Sequence, residues 1–263
     1  QRQMCIRDRV MVMTEEGMGS GTIISEKGYV LTNWHVIEDA KDVTICVYGM
    51  PSFEECIFEV ILIKVNPLKD LALLKIINPP KKLKPIKISL VIAKTGSKVH
   101  AIGHPDGEIW SHTQGYISQH RENFKWDYRD ERQEEPEFQS DVYQMQTPIH
   151  SGNSGGPLFN LKGKVIGINT AIIAPGQTGS IGIGFAIPSN AASKVINQLI
   201  KYGETRRGWL GVRIQEVTKE IAEVEKLEKP QGALVASVSE KSPADKAGTV
   251  SYTHLTLPTS DLV

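Results

Sequence analysis

The sequence predicts an all-β fold, arranged as a sandwich or as barrels, and three observations carry that prediction. Between residues 18 and 203, short runs rich in Val, Ile and Thr recur between Gly, Pro and Asn punctuation, the pattern of half-buried strands separated by turns. The runs follow one another without helical periodicity between them, which leaves sheet-on-sheet or closed-sheet architectures. One helix stands out near the end of this region. After Pro188, Ser189 and Asn190, the apolar residues Ala192, Val195, Ile196, Leu199 and Ile200 repeat at helical spacing, with Gly203 as a stop.

In chain order, the expected strands are 21–25, 29–32, 43–48, 57–65, 71–77, 98–102, 164–171 and 183–187. Residues 121–137 carry eleven charged side chains in seventeen positions and read as a solvated loop. The expected first domain is 10–203, followed by a polar linker at 204–207 and a second segment at 208–248. Those 41 residues are too few to bury a stable core alone, so they read as the front part of a second domain.

Composition excludes several classes of function. Of 263 residues, 30 Lys and Arg balance 30 Asp and Glu, so no basic field points to nucleic acid. No apolar run reaches the ~18 to 20 residues of a membrane span. Three cysteines make no disulfide framework. Both ends look foreign: residues 1–9 and Val250–Thr259 translate the two strands of one transposase sequencing adapter, so 1–9 and 249–263 are expected to be non-native. Cys5 then falls away. Cys46 and Cys56 flank a turn around 49–52 and either face each other or are two buried thiols. The histidines show no His-Glu-x-x-His spacing and no Cys-x-x-Cys occurs, so neither a metal nor a cofactor is expected.

The chemistry resides in Gly152-Asn153-Ser154-Gly155-Gly156. A serine between glycines suits nucleophilic catalysis, because glycine lets backbone amides turn toward a reacting carbonyl. The Gly152-Asn153-Ser154 turn, through the Gly152 and Ser154 amides, is the candidate oxyanion hole. Serine needs a base to take its proton. His35, just after an apolar strand, is the candidate base, and Asp70, between an Asn-Pro turn and a buried run, is the candidate acid that orients it. The order His, Asp, Ser is that of chymotrypsin-type triads. The Gly-x-Ser-x-Gly elbow of α/β-hydrolases needs a later histidine, and only His254, inside the suspected adapter, follows Ser154.

Five strings together resemble HtrA/DegP-type (Do-like) serine proteases: GSGTIISEKGYVLTNWHVI at 19–37, NPLKDLALLKI at 66–76, GNSGGPLFNLKGKVIGINTAI at 152–172, GSIGIGFAIPSN at 179–190 and RRGWLGVRIQEVTKEIAE at 206–223. The resemblance implies a chymotrypsin/trypsin-like double β-barrel with a C-terminal helix, and a truncated PDZ domain at 208–248. It implies an ATP-independent endopeptidase with His35, Asp70 and Ser154 as its triad. Ile149, Ile172 and Ile173 match positions lining the primary specificity pocket. Pro148, in place of an acid, argues against cleavage after Lys or Arg and for small aliphatic residues. Unfolded or misfolded proteins of the bacterial periplasm or cell envelope are the implied substrates, and a homotrimer or larger assembly the implied state of the parent. The chain departs from the family pattern at Trp34, at His104-Pro105 and at Thr147-Pro148-Ile149-His150. The rival class is a binding relative with an idle triad.

Overall fold

The computed structural model describes residues 9–81, 83–127, 137–172, 182–202, 210–224, 227, 229–230, 232–251 and 254–255. The chain divides into two compact units, Gln1–Thr205 and Arg206–Val263.

The first unit holds two closed six-stranded barrels. Strands β1 (Arg9–Thr14), β2 (Met18–Ile23), β3 (Tyr29–Thr32), β4 (Val43–Val47), β5 (Ile57–Asn66) and β6 (Leu71–Ile76) close the first in the order β1-β2-β3-β6-β5-β4. Its interior is filled by branched side chains such as Val10, Val12, Ile23, Val30, Ile45 and Leu74. Closure makes the packing tight: a Cβ on Gly21 of β2 would stand 2.7 Å from Val10 Cγ2. Between β4 and β5, the one-turn helix α1 (Phe53–Cys56) is capped by the Ser52 hydroxyl, which accepts from the Glu55 N–H. Cys46 and Cys56 are joined as a disulfide, which resolves the two alternatives left open by the sequence.

The second barrel is formed by β7 (Lys98–Gly103), β8 (Ser111–Asp127), β9 (Glu137–Met145), β10 (Pro157–Asn160), β11 (Val165–Ile172) and β12 (Gly184–Pro188), closed in the order β10-β11-β12-β9-β8-β7. Between the barrels, Leu31, Leu71 and Leu73 of the first pack with Ile102, Phe159, Ile168 and Ile187 of the second. The helix α2 (Ser189–Tyr202) seals this seam with Ala192, Val195, Ile196 and Leu199, the face expected from their spacing. Gly203, its expected stop, lies outside the described residues.

One expectation is corrected. Residues 121–127 and 137 are strand, not solvated loop. Phe124 stacks on Phe185 at 4.7 Å and Trp126 lies 5.5 Å from Phe138, while Glu122 and Lys125 are exposed and the Arg121 guanidinium lies 5.7 Å from the Phe124 ring centre. Residues 128–136 lie outside the described set. Arg9, the last residue of the segment expected to be non-native, extends β1 and pairs with Thr22, as an appended residue can.

The second unit contains β13 (Val212–Glu216), α3 (Lys219–Val224), β14 (Ala233–Val238), α4 (Pro243–Lys246) and β15 (His254–Leu255), with a three-stranded sheet β13-β14-β15. Its core is small, built from Val217, Ala222 and Leu234 with Ile221 and Leu227 against them. The backbone of His254–Leu255, in the tail expected to be foreign, pairs with Leu234 and Ala233.

Candidate active site

The first barrel supplies an imidazole and a carboxylate. At the end of β3, the Thr32 hydroxyl donates to the Ser20 carbonyl at 2.8 Å and the Asn33 side-chain amide donates to the Asp70 carbonyl at 2.7 Å. The first bond fastens the segment carrying His35 to β2, and the second ties it to the segment carrying Asp70. Asp70 ends a short 3-10 turn, Pro67–Lys69, whose first carbonyl accepts the Asp70 N–H at 2.9 Å. The Asn66 side chain caps that turn by accepting from the Lys69 N–H at 3.1 Å. Asp70 itself is left-handed, with φ 50°. Such a conformation is uncommon outside glycine, and Asp is among the residues that tolerate it.

The payoff of that turn is a carboxylate at 0% exposure surrounded by donors. Asp70 accepts from the His35 backbone N–H at 3.0 Å, from His35 Nδ1 at 2.8 Å, and from the Thr170 hydroxyl. A buried charge persists only when paired in this way. Because the carboxylate can only accept, the His35 proton sits on Nδ1 in the neutral ring, which leaves Nε2 as the basic nitrogen. Burial disfavours the charged ring, but the Asp70 charge and hydrogen bond, with help from Glu38, outweigh it and hold the His35 imidazole above its ordinary value.

The second barrel supplies the hydroxyl. Gly152 and Gly155 take positive φ values of 92° and 82°, which bends residues 151–156 into a tight turn around Ser154. A Cβ on Gly155 would overlap the Ser20 carbonyl and the Thr32 hydroxyl, and one on Gly103 would overlap Asn153 Oδ1. The turn is sewn to β2 of the first barrel: the Ser20 N–H donates to the Ser154 carbonyl at 2.8 Å and the Ser20 hydroxyl to the Gly152 carbonyl at 2.7 Å. Thr170 completes the junction. Its hydroxyl donates to Asp70, and its carbonyl accepts from Ser154 Oγ at 3.4 Å. His35, Asp70 and Ser154, 119 residues apart from first to last, are thus brought to one junction between the barrels.

Asn153 narrows the expected oxyanion hole. Its N–H is spent on the His150 carbonyl at 3.1 Å and its side chain is 1% exposed, so it shapes the turn and offers no free backbone donor. The amides of Gly152 and Ser154 have no acceptor among the described residues. Of the expected pocket residues, Ile149 is buried in the second barrel, where it packs against Gly184. Ile172 ends β11, and Ile173 lies outside the described residues. Two contributors escaped sequence reasoning. Ser20 and Thr170 lie in ordinary-looking strand sequence, and Thr170 owes its position to a register shift between Asn169 and Ala171 that no local pattern announces. Among the described residues, no group of three or more His, Cys, Asp or Glu side chains is gathered as for a metal ion.

Residues 19–168 match the family described as the trypsin-like peptidase domain. The chain belongs to the trypsin-like peptidase family. Among curated relatives, a probable periplasmic serine endoprotease DegP-like of Brucella suis is 41% identical over 231 residues, 88% of this chain and 42% of that protein. Its counterpart from Ectopseudomonas mendocina is 43% identical over 234 residues, 89% of this chain and 46% of that protein. The chain therefore spans less than half the length of these relatives. A solved structure of the HtrA-type protease AlgW with a tripeptide superposes with a TM-score of 0.70 at 33% identity, covering 92% of this chain and 76% of that one. A variant of AlgW with a decapeptide gives a TM-score of 0.70 at 29% identity, covering 96% and 82%. The two barrels are accordingly those of the trypsin-like fold, and the relatives are HtrA and DegP-like serine endoproteases.

Proposed function

We propose that this trypsin-like peptidase is the protease part of an ATP-independent serine endopeptidase that degrades unfolded or misfolded proteins in the bacterial periplasm. The observation that carries the reading is the buried Asp70 carboxylate. It orients His35 at 2.8 Å and reaches Ser154 through the two ends of Thr170. In the proposed mechanism, His35 Nε2 takes the Ser154 proton as Oγ attacks a peptide carbonyl. Asp70 holds the ring in the required tautomer and stabilises it once charged. The amides of Gly152 and Ser154 receive the oxyanion. His35 then returns the proton to the leaving amine, and water attacks the acyl-enzyme by the same route.

Ile149, Ile172 and Ile173 are proposed to line the pocket for the residue before the scissile bond, favouring small aliphatic side chains. The name of the curated relatives supports a periplasmic setting, and so does the Cys46–Cys56 disulfide, since such bonds persist in oxidising compartments. The second unit is proposed to be the front of a PDZ domain joined through 204–207, and the parent to be a homotrimer or larger. The test is digestion of casein and of a stably folded control without nucleotide. Casein should be cleaved, the folded control spared, and Ser154→Ala should abolish cleavage with its thermal transition unchanged. Casein cleavage by Ser154→Ala at the wild-type rate overturns the proposal.

A further inference from the structure

A buried histidine outside the acyl-transfer chemistry lies beside the turn that carries Ser154. His104 follows β7 and is 1% exposed. Its backbone lies against Gly152: a Cβ on Gly152 would overlap the His104 carbonyl, and the His104 N–H approaches the Gly152 carbonyl at 3.4 Å. Two residues on, the Asp106 N–H donates to the Ser151 carbonyl at 3.0 Å. The main chain around His104 thus runs alongside the residues that lead into Ser154.

The ring of His104 faces the other way, into the first barrel. Nδ1 accepts the Trp110 N–H at 3.2 Å, which places the ring proton on Nε2. That proton is donated to the Val10 carbonyl of β1. The Trp110 indole stands edge-on to the imidazole at 4.5 Å, and also edge-on to Tyr48, just past β4, at 4.8 Å. Burial above all, with the Arg9 charge adding to it and the Val10 carbonyl opposing, pulls the imidazole down to about 4, so it is neutral at ordinary pH. Arg9 bears on it from β1, while Asp106 in its own loop turns its carboxylate to His150 at 3.4 Å. Both ring nitrogens therefore keep their single roles, one accepting and one donating.

We infer that His104 is a positioning residue for the nucleophile turn, tying Gly152, against its backbone, to β1 through its ring and to Tyr48 through Trp110, so that the Gly152 and Ser154 amides hold the orientation oxyanion binding needs. The inference rests on the acyl-transfer reading for its consequence, though not for its geometry. Catalytic groups displaced by ~1 Å lose about 100-fold in rate. A variant that frees Gly152 from this brace would permit a displacement of that size while leaving the His35, Asp70 and Ser154 side chains chemically unaltered.

Two variants test it. His104→Phe keeps an aromatic ring but loses both ring hydrogen bonds. His104→Gln keeps a donor long enough to reach Val10. The measurements are kcat and KM on a peptide substrate, affinity for a peptide boronic acid (a tetrahedral mimic), the thermal transition, and hydrogen exchange at the Asn153 and Asp106 amides, which donate to the His150 and Ser151 carbonyls. His104→Phe should lower kcat and boronate affinity together by about 100-fold with KM nearly unchanged, and His104→Gln should stay within about tenfold of wild type. Exchange at the two amides should quicken by about tenfold in His104→Phe as the turn loosens. An active wild type whose His104→Phe variant keeps its kcat, or loses only KM or thermal stability, overturns the inference. If the wild type neither turns over peptide nor takes boronate, the acyl-transfer reading fails instead, and unchanged amide exchange in a folded His104→Phe variant still overturns the brace.

Discussion

Asp70→Asn is the perturbation whose consequence can be worked most fully. The wild-type carboxylate accepts three hydrogen bonds, from the His35 N–H at 3.0 Å, from His35 Nδ1 at 2.8 Å and from Thr170. Asparagine has one acceptor oxygen and one donor NH2 in the same volume. If the oxygen keeps the His35 backbone N–H, the NH2 faces Nδ1. The ring must then carry its proton on Nε2, where it meets Ser154 as a donor and no longer as a base. For a triad, the wrong tautomer lowers kcat by about 10⁴, or about 5.5 kcal/mol of barrier. The assay is kcat/KM on an unfolded protein substrate across pH, with the thermal transition as a control for folding. In the wild type, the raised His35 value places the acid limb of activity above 6.5, its ordinary value, since only the neutral ring accepts the serine proton. The linked stability has the opposite sign. A raised folded value means that the extra stability of the charged pair is fully present below 6.5 and is lost as pH rises through the folded value. Asp70→Asn should remove both that acid-side gain and the displaced limb. A loss of activity below about tenfold would refute the tautomer argument.

Other outcomes follow from the same geometry. Thr170→Val removes a donor to Asp70 while keeping the shape, and should lower kcat/KM by about 10-fold or more through a less firmly held carboxylate, with rescue by Thr170→Ser, as read in steady-state kinetics. Gly155→Ala forces a positive φ of 82° on a side chain that overlaps the Ser20 carbonyl. It should cost at least about 2 kcal/mol in urea unfolding. Replacing both Cys46 and Cys56 by Ser opens a loop with a sequence separation of 10. That should cost about 2 to 3 kcal/mol, seen as a lower urea midpoint with unchanged slope. Leu199→Ala empties part of the seam under α2, and thermal unfolding should register a loss of about 2 to 5 kcal/mol.

Much of the first unit was legible because period-2 hydrophobicity and turn residues speak locally. The expected strand at 29–32 coincides with β3, and 57–65, 71–77 and 98–102 differ from β5, β6 and β7 by one residue at an end. The face of α2 could be read from the spacing of its apolar residues. What escaped was hidden by composition or by distance. In 121–127 the charges outnumber the aromatic residues, and a count of charge sees no strand. The expected strand at 164–171 ends close to β11, but its register shift, which aims Thr170 at Asp70, depends on β12 alongside it. His35, Asp70 and Ser154 could be named because motif spacing marks them. Ser20 and His104 could not, since their roles arise only when the two barrels meet. Cys46 and Cys56 illustrate the same limit: their spacing permits a bond, and only the pairing of β4 with β5 brings the thiols together.

The central claim is that His35, Asp70 and Ser154 act as one device at the junction of the barrels. Stoichiometric labelling by a fluorophosphonate, with the adduct located by peptide mass spectrometry, addresses it most directly. The account predicts one phosphonyl group per chain, on Ser154, with labelling lost in His35→Ala and slowed in Asp70→Asn. An adduct on another residue, or an unchanged labelling rate in His35→Ala, would contradict it.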